Sequence, residues 1–395
     1  MSLLDLSAHR PVIAMVAGET SGDMLAARLL SGLRPQLPDA LMHGIGGAHM
    51  MEHGFVSDYA MDKLSVRGIF EVLMHYREIS GIRKQLMQQL LAEKPDVFIG
   101  VDAPDFNLDL EIRLKQAGIP TMHYISPSIW AWRGGRIKKI AQAVSHMLVV
   151  FPFEEEIYRQ AGIPATYVGH PLAQVIPLEP DVAAARAELG LASNARVLTI
   201  LPGSRMSELK YNTVAFIATA KELLKRDSRL QILVPMVGPK QRAYYMELIL
   251  QAGLDDVPIL LMEGKSHSAI AAADAVLVAS GTASLEVALF KKPMVIAYKM
   301  MAASWHVLKH MGYQPWIGLP NIIEKEFVVP EFLQSAATPV AMAEALWRQL
   351  EDTNLQASLR QRFTDMHHTL LRDTAQIASQ AVLDVIAAHK AKGSC

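Results

Sequence analysis

The chain has 395 residues, 51% hydrophobic and 19% charged, with 38 Lys and Arg against 39 Asp and Glu for a formal net charge of -1. That length exceeds what one hydrophobic core usually serves, so about two domains are expected, and the charge balance leaves no global footprint for nucleic acid. A single cysteine, Cys395, excludes an intramolecular disulfide framework and a cysteine-based metal cluster, which fits a reducing, cytosolic setting.

The first apolar run, Val12 to Ala17, is too short for a secretory signal and enters the polar turn "GETSGD". It reads as a strand, followed by a helix over Met24 to Leu33. An amphipathic stretch, Ser65 to Leu86, mixes Val66, Ile69, Phe70 and Leu73 with Arg67, Arg77, Arg83 and Lys84. Such a mixture suits the surface of an anionic membrane, the plain alternative being a core helix with a basic solvent side. The expected helix Ile79 to Ala92 leads to strand Val97 to Val101, which ends at "DAPDFN" with Asp102 and Asp105. A helix from Leu108 to Ala117 then precedes strands Thr121 to Ile125 and Met147 to Phe151. Between them "WAWRGGRIKK" sets Arg133, Arg136, Lys138 and Lys139 after Trp130 and Trp132, suited to lipid headgroups or a phosphate-bearing substrate.

Prolines thicken around Gly169 to Asp181, which reads as a linker. Strands resume at Val197 to Leu201, Gln231 to Val234, Ile259 to Leu261, Ala275 to Ala279 and Met294 to Tyr298. The last portion, Pro339 to Lys392, is helical in composition. Strand and helix alternate throughout, predicting an α/β fold of two doubly wound, Rossmann-like domains facing a cleft. No run reaches the roughly 20 apolar residues of a spanning helix.

Four strand ends carry small polar turns: "AGETSGD", "GIGGAHM", "LPGSR" and "ASGTASLE". In doubly wound folds the carboxyl ends of strands are where ligands bind, and small residues let an anion approach helix-start N–H groups. None is a clean G-x-G-x-x-G or Walker A loop. Arg205 offers a planar fork to phosphate. Ser280, Gly281 and Thr282 open a helix carrying Glu286 about one turn on, placed for ribose hydroxyls; alternatively Ser280 and Thr282 only cap that helix. Glu19, Ser21 and Gly22 are assigned to positioning acceptor or donor. The 14 histidines show no H-E-x-x-H spacing, and adjacent His367 and His368 cannot share a helical face, so no metal site is expected. Ser21 and Ser204 lack the G-x-S-x-G elbow of serine hydrolases.

Taken together, "AGETSGD", "KPDVFIGVDAPDFN", "HYISPSIWAWR", "LPGSR", "ASGTASLE" and "LPN" closely resemble the lipid-A-disaccharide synthase family, from about Pro11 to the C-terminal helices. The resemblance implies a GT-B fold with domains at 1–170 and 171–365, the C-terminal helices of 366–395 packing back or exchanged in a homodimer. It implies an inverting, metal-independent glycosyltransferase without cofactor. Such an enzyme joins UDP-2,3-diacylglucosamine to 2,3-diacylglucosamine 1-phosphate, giving the β-1,6-linked disaccharide and UDP. It works on the cytoplasmic side, peripherally on the inner membrane, with Val66, Ile69, Phe70 and Leu73 in the membrane-contacting region.

By the same resemblance Asp102 is the general base, and Asn321 contacts the donor. Asp105 is a second catalytic candidate, or a helix-start residue supporting the base. Gln174 and Gly318 depart from the family pattern, where aspartate and serine are common. The rival readings are another UDP-sugar enzyme of this fold, such as an epimerase, and a non-catalytic nucleotide- or lipid-binding module.

Overall fold

The computed structural model describes residues 10–64, 69–130, 134–301, 305 and 315–393. Val66, Trp132 and Arg133 lie outside them, and so do the side chains of residues 69–76, among them Ile69, Phe70 and Leu73. The chain forms two compact units, Met1–Pro171 with Leu370–Cys395, and Leu172–Thr369.

The first unit is built on a seven-stranded parallel sheet: β1 (Val12–Ala17), β2 (Leu41–Gly46), β3 (Val56–Ala60), β4 (Val97–Val101), β5 (Thr121–Tyr124), β6 (His146–Val149) and β7 (Ala165–Tyr167), in the order β3-β2-β1-β4-β5-β6-β7. Parallel strands covered on both faces need continuous apolar sequence, and β4, "VFIGV", is buried at every residue. Edge strand β3 instead exposes alternate residues. Four helices matter below: α1 (Thr20–Leu33), α2 (Ala48–Glu52), α3 (Ile69–Glu93) and α4 (Pro104–Gln116). The last starts four residues before the expected Leu108, because Pro104 sits in its first turn, where a missing N–H costs nothing.

The C-terminal helix Thr374–Gly393 belongs to this same unit and packs on α1. At Gly32 of α1 an added Cβ would lie 2.2 Å from the Ala375 carbonyl oxygen, and Gln36 Nε2 donates to Ser379 Oγ at 2.9 Å. Lys390 closes the far end on Asp96 at 2.9 Å.

The second unit has a six-stranded parallel sheet: β8 (Val197–Leu201), β9 (Gln231–Met236), β10 (Ile259–Glu263), β11 (Ala275–Ala279), β12 (Met294–Tyr298) and β13 (Glu331–Leu333), ordered β10-β9-β8-β11-β12-β13. Its core joins these strands to helices Met206–Leu224 and Pro339–Glu351 through Phe216, Leu223, Leu277 and Leu346. In both sheets strand order reverses once, between β1 and β4 and between β8 and β11. Loops leave such a switch point in opposite directions and open a crevice at the strands' carboxyl ends.

Candidate active site

In the first unit, β1 and β4 run in register to their ends, with Ala17 opposite Val101. The turns that follow are therefore neighbours: a Cβ on Gly18 would lie 2.8 Å from that of Ala103. Asp102 and Ala103 both take left-handed backbone, at φ 51° and 41°. Each such residue costs on the order of 1 kcal/mol, a strain typical of functional turns. Hydrogen bonds hold it. Asp102 N–H donates to Tyr124 O at 2.9 Å, and Asn107 Nδ2 donates back to Asp102 O at 2.8 Å. Ile125, where β5 ends, is also left-handed at φ 76°, an outlier for a β-branched residue.

The half-buried Asp102 carboxyl is pushed above the usual aspartate range, chiefly by burial. The Ala103 N–H and the charge of His123 oppose that rise, while Glu19 adds to it. A carboxylate so placed is a stronger base than one in water. Glu19 itself is the N-cap residue of α1, and its side chain makes no capping bond. Ser21 is exposed. Gly22 is buried, and a Cβ there would be in ordinary contact with Val101 O at 3.5 Å.

Asp105 stands apart from the base. Its side chain is 83% exposed and pairs with Arg136, in the first turn of α4, where a negative charge suits the helix dipole. Arg83 at 3.1 Å and Lys139 at 2.7 Å hold neighbouring Asp109, so much of the basic cluster is spent on the acids of α4. Trp130 is likewise an internal anchor. Its Nε1 donates to Glu154 at 3.1 Å, and its ring meets Phe153 edge-on at 5.4 Å. Burial pushes the Glu154 carboxyl up to about 7, against the hydrogen bonds it accepts from Phe151 N–H, Ser126, Trp130 and Val150 N–H.

In the second unit the β8 turn presents Arg205, 79% exposed on its side chain and tethered at 3.1 Å to Glu208 Oε1. The other oxygen of Glu208 accepts the N–H groups of Ser204 at 2.9 Å and Arg205 at 3.2 Å. This one carboxylate shapes the turn and aims the guanidinium. The β11 turn opens helix Thr282–Leu289 at Gly281, whose φ of 130° favours glycine and whose Cβ side faces open space. Ser280 and Thr282 do not cap that helix: no side chain caps it, and Ser280 Oγ donates to Ile317 O at 2.9 Å. Glu286, half-buried one turn later, lies 3.4 Å from His267.

Asn321 is the residue expected to contact the donor. It is fully buried, its Nδ2 donates to Val329 O at 2.9 Å and Glu331 Oε1 at 2.8 Å, and its Oδ1 accepts Val329 N–H at 3.0 Å. Its amide holds the segment behind the turn. Gly318 has a packing reason, since a Cβ there would lie 2.2 Å from Ile296 Cδ1.

Two residues that organise strand-end turns escaped the sequence reading. Glu208 stands three after Arg205, the spacing of a capping box, which was a usable signal. Asp23 had none. Its buried carboxylate accepts the N–H groups of Gly47, His49 and Met50 at 2.8, 3.0 and 3.2 Å and so builds the "GIGGAHM" turn from α1. Among the described residues no group of three or more His, Cys, Asp or Glu is arranged to hold a metal ion, and no helix is long and apolar enough to cross a membrane.

Structural likeness agrees with the architecture. A putative UDP-N-acetylglucosamine 2-epimerase from Listeria monocytogenes superposes with TM-score 0.61 at 12% identity, covering 98% of each chain. The calicheamicin glycosyltransferase CalG4 gives 0.56 at 14% identity over 98% of this chain and all of its own. At such identities the likeness shows the GT-B-type fold alone. Sequence carries the comparison further. The lipid-A-disaccharide synthetase family profile matches residues 13–383. The lipid-A-disaccharide synthase of Azoarcus sp. (strain BH72) is 52% identical over 94% of this chain and 95% of its own, and that of Bordetella pertussis is 49% identical over 94% and 98%. With half of its residues shared along nearly its whole length, this chain belongs to the lipid-A-disaccharide synthase family of glycosyltransferases.

Proposed function

We propose that the chain transfers 2,3-diacylglucosamine from its UDP derivative to the 6-hydroxyl of 2,3-diacylglucosamine 1-phosphate, with inversion at the anomeric carbon. The hydroxyl oxygen attacks C1, the bond from C1 to the diphosphate breaks, the hydroxyl proton passes to the Asp102 carboxylate, and UDP leaves with the bonding pair. The observation that carries this is a half-buried, raised-pKa Asp102 at the switch point of the first sheet. Arg205 and the helix start at Gly281 and Thr282 would neutralise the charge growing on UDP. Glu286 would receive the ribose, Ser280 and the buried Asn321 would hold the turn, and Glu19 with Ser21 would orient the acceptor.

The two acylated sugars are amphiphiles, so the reaction belongs at a lipid surface, and we assign Val66, Ile69, Phe70 and Leu73 to contact with the cytoplasmic leaflet of the inner membrane. Replacing Ile69, Phe70 and Leu73 by serine should reduce vesicle association; unchanged association with the fold intact would remove that assignment. A homodimer that exchanges the C-terminal helix is part of the same reading. The decisive experiment incubates the pure protein with both acylated substrates and follows UDP and disaccharide together. Equimolar formation supports the proposal. UDP release without disaccharide, or turnover of non-acylated UDP-N-acetylglucosamine without an acceptor, overturns it.

A further inference from the structure

Behind the Asp102 turn lies a buried polar cluster that the mechanism above does not use. Glu111 of α4 and His123 of β5 are both 0% exposed, with His123 Nδ1 2.7 Å from Glu111 Oε1. Their remaining polar atoms, Glu111 Oε2 and His123 Nε2, have no hydrogen-bond partner among the described residues, and neither does Asn107 Oδ1 beside them. Taking an ion pair out of water is costly unless further hydrogen bonds compensate, so a pair left half-satisfied in a core is a poor stabilising device.

The strand makes room for it. Gly100 of β4 is in register with His123, and a Cβ there would lie 2.2 Å from Glu111 Oε1 and 2.8 Å from Asn107 Cβ. Asp102 follows Gly100 by two residues, and Asn107, which touches this space, holds the Asp102 carbonyl at 2.8 Å. The titratable groups facing the imidazole are thus Glu111 from α4 and Asp102 from the end of β4, with Glu19 beyond Asp102 on the turn after β1. On its other side β6 presents Met147 in register.

We propose that Glu111 and His123 form a charge-setting pair, in which Glu111 keeps a proton on the imidazole and the imidazole holds Asp102 in its ionised, proton-accepting form. This rests on the assignment of Asp102 as base. His123 is a positioning residue, since it acts through Asp102 rather than on substrate. Burial raises both carboxyls, Asp102 and Glu111, and an imidazolium at His123 acts against that rise in each.

The test is the pH profile of kcat/KM for wild type, His123→Gln and Glu111→Gln, with thermal melting to establish folding. Losing the cationic imidazole should raise the Asp102 pKa and move the acid limb up by roughly one pH unit. Turnover then falls about tenfold below the limb and stays within about twofold of wild type above it. Glu111→Gln keeps the shape and the hydrogen bond to Nδ1 while removing the charge, so it carries the test if His123→Gln does not fold. Profiles lowered evenly at all pH, with the limb unmoved, overturn the pair's role and leave Asp102 as base. Wild-type turnover by Asp102→Asn overturns the base assignment itself.

Discussion

Replacing Asp102 by Asn separates chemistry from architecture unusually well at this position. The amide has the same shape, still accepts the Ala103 N–H, and tolerates the left-handed φ of 51° that the turn imposes. What it cannot do is take a proton, and a positioned general base contributes about 10² to 10⁴ in rate. Stability should move the other way. Because the folded-state pKa of Asp102 is raised, chiefly by burial, its contribution to stability is fully present below the ordinary aspartate pKa and lost as pH rises through the raised value. At pH 8 the ionised carboxylate is therefore a net burden, and Asp102→Asn should melt at the wild-type temperature or above it. Asp102→Ala removes the charge too but places a residue without a polar side chain at positive φ, so it should melt below Asp102→Asn by roughly 1 kcal/mol, or about 2–4 °C. Coupled UDP-release kinetics, disaccharide product analysis and thermal melts at pH 8 read both quantities. An Asp102→Asn enzyme within tenfold of wild-type turnover, or one melting several degrees lower, would refute the reasoning.

Arg205→Ala should weaken UDP binding by about 1.5–3 kcal/mol, roughly 10- to 150-fold by calorimetry, and Arg205→Lys should recover only part, because a lysine cannot present the planar fork. Glu208→Gln should give a smaller loss of UDP affinity, since it keeps the turn's shape while releasing the guanidinium tether. Gly318→Ser should cost about 1–3 kcal/mol in denaturant unfolding, because its Cβ meets Ile296 Cδ1, and Ile296→Val in the same chain should recover part of that loss. Glu154, with its carboxyl pushed up to about 7, contributes stability that is full below the ordinary glutamate pKa and lost as pH rises through about 7. Melting temperatures of Glu154→Gln should therefore vary less between pH 5 and 8 than those of wild type.

Much of the scaffold was legible because buried parallel strands are written as continuous apolar runs. Val12–Ala17, Val97–Val101, Val197–Leu201, Ala275–Ala279 and Met294–Tyr298 fall where expected. The strands that escaped lack that signature. Val56–Ala60 is an edge strand with serine and aspartate in it, Leu41–Gly46 contains a histidine and two glycines, and Ala165–Tyr167 and Glu331–Leu333 have three residues each. Asp102 stood out because it ends an apolar run. Asn321 was assigned to the donor by resemblance alone, and its amide bonds Val329 and Glu331, partners eight and ten residues away that local spacing does not announce. Glu111 and His123 were hidden for a related reason: each sits singly in an otherwise ordinary element, and only the packing of α4 on β5 brings them together.

The return of the last helix to the first unit has a consequence for how the protein is made. Residues 172–369 form an uninterrupted stretch, whereas the first unit needs both the opening 171 residues and the segment from Leu370 onward. During synthesis the later-encoded unit can therefore finish folding while the earlier one still lacks Ala378, Val382 and Ile386, which are buried in the completed structure. The usual order of domain maturation along a nascent chain is reversed. Until the segment from Leu370 leaves the ribosome, the α1 face of the first unit awaits its cover.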